Sequence, residues 1–225
     1  MRKNLVIAID GPSGAGKSTL GRMLARALNL LYLDTGSMYR AVALAVQESS
    51  ISASDDLGVA SLAERVAIDL VGDPDSLHVM LEGRDVTDQL RSDEVTHLSS
   101  LVSSIPAVRR AMVARQRELG KRGAVLNGRD IGTVVFPDAD VKFFLTAVPQ
   151  ARAERRYHED RAQDPDANFE ETFADMIARD DRDSSRADSP LAVAADAIVV
   201  DSTGLTIAEV FQKMMAAISP ETANE

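Results

Sequence analysis

The feature that most constrains the fold of this chain is the octapeptide at 11–18, Gly-Pro-Ser-Gly-Ala-Gly-Lys-Ser. It matches the pattern G-x-x-x-x-G-K-[ST] and follows an apolar run at 5–9, in the setting of a buried strand that leads into a helix. Its three glycines allow the backbone to turn sharply and to approach an anion closely. The pattern therefore predicts a phosphate-binding loop at the end of a strand.

The chemistry of this loop indicates how a phosphate chain is held. Its backbone N–H groups point inward, and the helix that follows adds its positive N-terminal end. Lys17 is expected to reach the β- and γ-phosphates of a nucleotide, and the hydroxyl of Ser18 is expected to bind Mg²⁺. The alternative is a glycine-rich turn that binds nothing, and the strand before the motif argues against it.

Composition and charge exclude several classes of protein. The chain has 225 residues, no cysteine and a formal net charge of −10. Without cysteine there is no disulfide framework and no thiolate metal site, and a nucleic-acid coat would need a basic surface. No apolar run approaches the length of a membrane span, and the N-terminus does not resemble a signal peptide. We expect a cytoplasmic protein without nucleic-acid or membrane partners, and we expect a monomer.

Short apolar runs alternate with amphipathic segments along the chain, which predicts an α/β fold with a parallel sheet. Five strands are predicted, at 4–9, 30–33, 124–126, 141–145 and 197–200. Helices are predicted at 17–29, 37–49, 57–66, 92–99, 106–120, 150–162 and 169–187, and after the capping box at 206–209. Turn signals at 66–90 separate three short strand-like runs, which predict a small antiparallel sheet inserted into the α/β chain.

Arginine-bearing segments lie at or near the predicted strand ends, where a parallel sheet binds its ligands. Arg40 follows the second strand, and Arg129 with Asp130 follows the third. Single helix faces carry two further groups, which are Arg152, Arg155 and Arg156, and then Arg179, Arg182, Asp183 and Arg186. Guanidinium groups suit phosphate, but each group also fits a salt bridge or a solvated helix face, so both interpretations stay open.

The motifs that are missing narrow the class of nucleotide-binding protein. The N-K-x-D motif of regulatory GTPases does not occur, and the fourth predicted strand ends Phe-Phe-Leu-Thr rather than in the Asp-Glu pair of motor-type ATPases. A small kinase that acts on a phosphorylated acceptor remains, because two phosphate chains explain several arginines better than one. Such catalysis is positioning and charge neutralisation, and a phosphate acceptor needs no general base.

Four segments together resemble bacterial cytidylate kinases over nearly the whole chain. They lie at 9–19, 33–40, 128–137 and 179–186. The resemblance implies a nucleoside-monophosphate kinase fold and the Mg²⁺-dependent transfer of phosphate from ATP to CMP or dCMP, within pyrimidine nucleotide metabolism. It also implies one domain over 1–225, an acceptor-binding region at 36–105 that contains the insertion, and a helical lid at 151–170.

The resemblance assigns roles to individual residues. The ATP site would comprise Gly11, Pro12, Ser13, Gly14, Ala15, Gly16, Lys17, Ser18 and Thr19, with Ser18 as metal ligand. The CMP site would comprise Thr35, Arg40, Ser100, Arg109, Arg129, Asp130, Arg179, Asp183 and Arg186, in which Ser100, Arg109 and Asp130 read cytosine and Arg179 and Asp183 contact the ribose. The catalytic residues would be Lys17, Arg129, Arg155 and Arg156.

Two departures from the family and two alternative functions accompany this assignment. Asn127 stands where relatives more often carry an acidic residue, and Ser18 and Thr35 are hydroxyl variants at their positions. The alternative enzyme is a different small-molecule kinase with the same loop. The alternative of another class is a nucleotide-binding regulatory or assembly protein with little turnover.

Overall fold

A five-stranded parallel sheet forms the centre of the protein, which a computed structural model describes over residues 4–162 and 164–218. Numbered in chain order, its strands are β1 (Val6–Asp10), β2 (Leu31–Asp34), β6 (Ala124–Asn127), β7 (Val141–Thr146) and β8 (Ile198–Asp201). They pair in the order β2-β6-β1-β7-β8, and every pairing is parallel. The predicted α/β fold is therefore confirmed, and the strand bounds lie within two residues of those expected.

The predicted insertion is a three-stranded antiparallel sheet. It consists of β3 (Ile68–Val71), β4 (His78–Leu81) and β5 (Arg84–Asp85) in that order. Glu82 and Gly83 join the last two strands, and both have positive φ, which suits a tight hairpin turn. This small sheet stands beside the cleft described below, because residues of β4 contribute to the lining of that cleft.

In the described part of the chain, eight α-helices surround the two sheets. They are α1 (Lys17–Leu28), α2 (Thr35–Glu48), α3 (Asp56–Arg65), α4 (Asp93–Val102), α5 (Pro106–Gly120), α6 (Pro149–Arg161), α7 (Phe169–Ser185) and α8 (Ile207–Ala217). Helix α2 begins two residues earlier than predicted, because the Asp34 carboxylate caps it by accepting from the Ser37 N–H. The capping box predicted for α8 is present, with Thr206 and Glu209 bonded reciprocally.

The sequence did not predict the single π-helical turn at Ile131–Val135 that follows β6. Its first backbone N–H groups have no helical partner, and the Asp10 carboxylate accepts from Ile131 N at 2.8 Å and from Gly132 N at 2.7 Å. A π turn leaves no distinctive apolar period, so the pattern that finds helices misses it. The turn fixes the loop that carries Arg129 and Asp130.

Apolar side chains fill both sides of the central sheet. On one side Ile7, Leu20, Phe143 and Met214 belong to the core that joins the sheet to α1 and α8. On the other side Leu33, Leu126 and Val135 pack with Val113 of α5. A further core joins the helices α2, α3, α4 and α5 to the inserted sheet. Burial of this order positions the carboxyl ends of the strands rigidly, and the candidate site lies there.

Within residues 4–162 and 164–218, no helix combines the length and the apolarity that crossing a bilayer requires.

Candidate active site

The phosphate-binding loop connects β1 to α1 in a conformation that only glycine permits at two points. Gly11 has a φ of 145°, and a Cβ there would lie 2.1 Å from the carbonyl oxygen of Leu145. Gly14 has a φ of 71°, and a Cβ there would lie 2.6 Å from the carbonyl oxygen of Arg152. The glycines of the motif are therefore required by close backbone approach to β7 and α6 as well as by phosphate.

Lys17 is buried in the loop rather than extended into solvent. Its Nζ donates to the Pro12 carbonyl oxygen at 2.6 Å. Burial and the nearby positive charges of Arg129 and Arg179 hold the pKa of Lys17 well below its usual range, and the Asp10 carboxylate opposes them. A phosphate chain bound in the loop would place negative charge beside this ammonium group and so favour its charged form.

Ser18 and Asn127 face one another across the ends of α1 and β6. The Asn127 Nδ2 donates to the Ser18 Oγ at 3.2 Å, and the Asn127 backbone carbonyl accepts from the Thr35 hydroxyl at 2.9 Å. The Asn127 Oδ1 is buried without a hydrogen-bond partner among the described residues. Hydroxyl and amide oxygens are hard ligands that fit Mg²⁺ or its bound waters, so these residues fit the predicted metal.

A cleft of about 780 Å³ opens above the carboxyl ends of β1, β2 and β6. From the loop it is lined by Ser13, Gly14, Ala15, Gly16, Lys17, Ser18 and Thr19. From the predicted acceptor site it is lined by Thr35, Arg40, Arg109, Arg129, Asp130, Arg179, Asp183 and Arg186. The fold thus brings the predicted donor and acceptor residues into one cavity.

Four of the guanidinium groups that line this cleft lie close together. Those of Arg40, Arg129 and Arg156 lie close enough to Arg179 that, after burial itself, they lower its pKa to about 10, while Asp183 partly opposes them. Within residues 4–162 and 164–218, the Arg179 guanidinium makes no hydrogen bond or ion pair, whereas those of Arg129 and Arg156 are paired with carboxylates. Positive charges gathered in this way attract anions, so this end of the cleft suits a phosphate group.

Asp183 holds two of the surrounding arginines in place. One carboxylate oxygen accepts from the Nε of Arg129 at 2.7 Å, and the other accepts from Arg186, whose Nη2 also donates to the Ser103 hydroxyl at 3.1 Å. These cations, opposed by burial, hold the pKa of Asp183 below its usual range, so it stays ionised. Helix α7 therefore presents Arg179 and Asp183 to the cleft, and Arg186 reaches the cleft from the residue after Ser185, where the helix ends two residues before the predicted 187.

A second buried ion pair lies deeper on the acceptor side. The Arg109 Nη2 donates to an Asp130 carboxylate oxygen at 2.6 Å, with side chains 2% and 6% exposed. The Tyr39 ring lies 5.4 Å from the same guanidinium, which also donates to the Ser103 carbonyl oxygen. The pair presents a fixed donor and a fixed acceptor at the wall of the cleft, the chemistry that an amino-carbonyl base edge requires.

The structure does not bring every predicted residue into the cleft. Four of the predicted site residues lie outside its lining, namely Gly11, Pro12, Ser100 and Arg155. Arg155 instead donates to the hydroxyl and the carbonyl oxygen of Ser202, at 2.9 and 2.7 Å, in the loop after β8. Its helix neighbour Arg156 does line the cleft, and it pairs with Asp160 at 2.9 Å.

Ser100 is bonded to the exposed Arg182, whose Nε donates to the Ser100 hydroxyl at 3.2 Å. The serine is itself buried in α4. Arg182 therefore bridges α7 to α4 beside the cleft.

Sequence reasoning missed two residues that hold the site together, Asp10 and Asp180, and it grouped a third, Arg152, only with Arg155 and Arg156 on one helix face. Asp10 binds the π turn, and burial raises its pKa to about 6 against the opposing backbone hydrogen bonds from Gly132 and Ile131. Arg152 and Asp180 bind the main chain of Ser13. Asp10 could have been found from its place at the end of β1, directly before the loop, but nothing local marks Asp180 among the neighbouring acidic residues.

Comparison with known sequences agrees with this geometry. The sequence profile of the family described as cytidylate kinase matches residues 7–220. A protein named cytidylate kinase from Geobacter sp. (strain M21) is 45% identical over 225 residues, covering 99% of this chain and 97% of that protein. Another of the same name from Solibacter usitatus (strain Ellin6076) is 47% identical over 226 residues, covering 99% and 96%.

Solved structures show the same fold at low sequence identity. An uncharacterized protein from Eubacterium ventriosum ATCC 27560 matches with a TM-score of 0.54 at 11% identity, covering 95% of this chain and 98% of the other. A gluconokinase from Sinorhizobium meliloti 1021 matches with a TM-score of 0.51 at 13% identity, covering 100% and 97%. These likenesses concern the fold alone.

Proposed function

The chain belongs to the cytidylate kinase family and catalyses the ATP-dependent phosphorylation of CMP, and we propose that the reaction takes place in the cleft between the loop and α7. The observation that carries this proposal is the arrangement of two anion sites in one cavity. Loop amides and Lys17 form one of them, and the guanidinium groups around Arg179 form the other. Two such sites suit two phosphate chains whose ends meet.

The donor is ATP, and its phosphates lie in the loop at 11–19. The loop N–H groups and the α1 N-terminus bind the β-phosphate, and Lys17 leaves the Pro12 carbonyl to pair with the γ-phosphate. Bound Mg²⁺ would neutralise the β- and γ-phosphate oxygens. Ser18 and Asn127 would hold it, because the Ser18 hydroxyl and the Asn127 side-chain amide are in contact beside the loop and the Asn127 Oδ1 has no other partner among the described residues. Its remaining ligands would come from ATP and water, and among the described residues no three His, Cys, Asp or Glu side chains form a group that could hold a metal ion.

The acceptor is CMP, with its phosphate among Arg40, Arg129 and Arg179. An oxygen of this phosphate attacks the γ-phosphorus in line, and the bond from that phosphorus to the β–γ bridging oxygen breaks. The attacking oxygen already carries negative charge, so no side chain has to remove a proton. The arginines neutralise part of the negative charge on both phosphate chains. Arg129 and Arg156 also stabilise this charge in the transition state.

The base and the ribose of the acceptor are read by the walls of the cleft. Asp130 accepts from the cytosine amino group and Arg109 donates to its ring nitrogen and carbonyl, while Ser100 contacts the same edge when α4 and α7 settle on the base. Asp183 contacts the ribose, and the Arg179 guanidinium lies between the ribose and the phosphate and contacts both. Both Asp183 oxygens already accept from arginines, so a missing 2′-hydroxyl leaves no buried group unpaired, and dCMP is a second substrate.

Three features of the whole chain complete the proposal. Residues 1–225 act as one domain, with the acceptor region at 36–105 and a lid at 151–170. On lid closure Arg156 turns toward the transferred phosphate and Arg155 exchanges Ser202 for the donor phosphates. The enzyme is a cytoplasmic monomer that binds neither nucleic acid nor membrane.

The assay that tests this function couples ADP production to an absorbance change across CMP, dCMP, UMP, AMP, GMP and shikimate, with and without Mg²⁺. Turnover is expected with CMP and dCMP and far less with the rest. Preference for another acceptor would favour a different small-molecule kinase, and a gluconokinase shares this fold. Tight nucleotide binding without acceptor-dependent turnover would favour a regulatory protein.

A further inference from the structure

The main chain of Ser13, at the tip of the phosphate-binding loop, is bound on both sides by side chains. Its N–H donates to an Asp180 carboxylate oxygen at 3.0 Å, and its carbonyl oxygen accepts from the Nη1 of Arg152 at 2.9 Å. Arg152 and Asp180 also pair with one another, and Arg152 donates through Nε to the Ala147 carbonyl at 3.1 Å. We call Ser13, Arg152 and Asp180 the loop clamp.

The two side chains of the loop clamp are shielded from solvent, since those of Arg152 and Asp180 are 6% and 14% exposed. Neither residue is among the described residues that line the cleft, whereas Ser13 is part of that lining. The loop also rests on the α6 backbone at Gly14. Arg152 and Asp180 are therefore placed to set the shape of the donor loop without touching the phosphates themselves.

The same helix carries the acceptor groups and half of the clamp. Arg179 and Asp183 project from α7 into the cleft, with Arg186 directly after its end, and Asp180, one residue after the first of them, points about a quarter turn away toward the loop. The Arg179 guanidinium is buried near other cations on this acceptor face. An acceptor phosphate would offset that charge. Because the Asp180 carboxylate accepts from the Ser13 N–H, a resulting movement of α7 would reach Ser13.

We propose that the loop clamp couples the two substrates, so that CMP bound against α7 draws the donor loop into the shape that binds ATP. Arg152 and Asp180 are then positioning residues for phosphoryl transfer. The proposal rests on the proposed assignment of the loop to ATP and of α7 to CMP. Binding couplings are reciprocal, so ATP must also strengthen the binding of CMP by the same factor.

The test measures the dissociation constant of a non-hydrolysable ATP analogue with Mg²⁺ by calorimetry, with and without saturating CMP. In the unaltered protein CMP is expected to tighten analogue binding at least about fivefold, the lower end of typical couplings. In Asp180→Asn the factor is expected to fall below twofold, with the affinity for CMP alone little changed. In steady-state kinetics the KM for ATP rises and kcat falls, while the KM for CMP measured at low ATP stays close to that of the unaltered protein.

Two further variants control for folding and for charge. Asp181→Asn changes an exposed neighbour on α7 and is expected to keep the coupling, so a loss confined to Asp180→Asn is not a general effect of removing charge from the helix. Arg152→Lys keeps the charge but loses the fork that joins Ser13 to Asp180, and it provides the same test if Asp180→Asn does not fold. It is expected to halve the coupling factor or reduce it further.

Several outcomes would overturn the proposal. They are an unaltered protein in which CMP leaves analogue binding unchanged, variants of the clamp that retain the full factor, and variants that weaken both substrates equally. Failure of the proposed function gives a different result, because the unaltered protein would then show no CMP-dependent turnover. An enzyme that turns over CMP but shows no coupling refutes the loop clamp alone.

Discussion

Replacing Arg179 by methionine is expected to stabilise the free protein while it weakens the binding of CMP. The guanidinium is partly buried, has no partner among the described residues and lies near Arg40, Arg129 and Arg156. A fall in its pKa from 12.5 to about 10 corresponds to about 3 kcal/mol of cost to the folded state. Methionine keeps the apolar stem and removes the charge, so solvent screening leaves a gain of about 1–3 kcal/mol.

Thermal unfolding in a dilute buffer free of phosphate and sulfate measures this gain. For a chain of this size 1 kcal/mol moves the midpoint by about 2–4 °C, so Arg179→Met is expected to melt about 2–12 °C above the unaltered protein. Its affinity for CMP is expected to fall about 10- to 100-fold, because a charge-assisted hydrogen bond to phosphate is lost. Saturating CMP then reduces or reverses the difference, since it stabilises the unaltered protein more.

The matched control is Arg182→Met, on the same helix but exposed. Its guanidinium makes one hydrogen bond, to Ser100, so the change is expected to lower stability by less than about 1 kcal/mol. If Arg179→Met melts at or below the temperature of the unaltered protein in anion-free buffer, the repulsion inferred among the four arginines is not a real cost, and the reasoning fails.

Lys17→Ala is expected to reduce kcat far more than it weakens CMP binding, and equal losses in calorimetry and turnover would contradict its place on the donor. Asp130→Ala leaves the Arg109 charge buried without its partner, at a cost of about 3–5 kcal/mol in denaturant unfolding, and it lowers the ratio of kcat/KM for CMP over UMP; an unchanged ratio would remove Asp130 from base reading. The pKa of Asp10 is raised to about 6 by burial, so the folded protein holds its proton more tightly than the unfolded chain, and stability falls by up to about 3 kcal/mol as pH rises from 4 through 6. Asp10→Asn removes this slope from the urea midpoint measured against pH, and parallel profiles for the two proteins would refute the assignment. The segment 155–168 is expected to resist limited proteolysis only when an ATP analogue and CMP are both bound; cleavage at an unchanged rate would argue against a closing lid.

Much of the fold followed from local pattern. The five parallel strands and the inserted sheet lie where apolar runs and turn signals predicted them, because strand length, glycine turns and helix caps depend on neighbouring residues. The π turn at Ile131–Val135 was missed, since the Asp10 carboxylate that completes its hydrogen bonds lies far away in the chain. Asp10 and the turn meet only after β1 and β6 have paired.

The site was predictable in its composition and less so in its contacts. The loop motif determined which residues bind phosphate, and the arginine segments near the strand ends indicated a second anion, because ligands of a parallel sheet gather at one edge. The choice of partner for each guanidinium did not follow. Arg155 reaches Ser202, Arg156 lines the cleft and Arg152 grips Ser13, although all three lie on one helix within five residues.

The sequence by itself determined the phosphate-binding loop, the α/β class and the family, because backbone geometry and apolar periodicity are written into short stretches of chain. Only the tertiary structure decided that Lys17 is buried against its own loop, that the Arg179 guanidinium has no hydrogen-bond or ion-pair partner among the described residues and that Asp180 holds the donor loop. A charged side chain spans several ångströms and takes whichever partner packing brings within reach. Packing joins residues that are distant in the chain, and no local pattern records it.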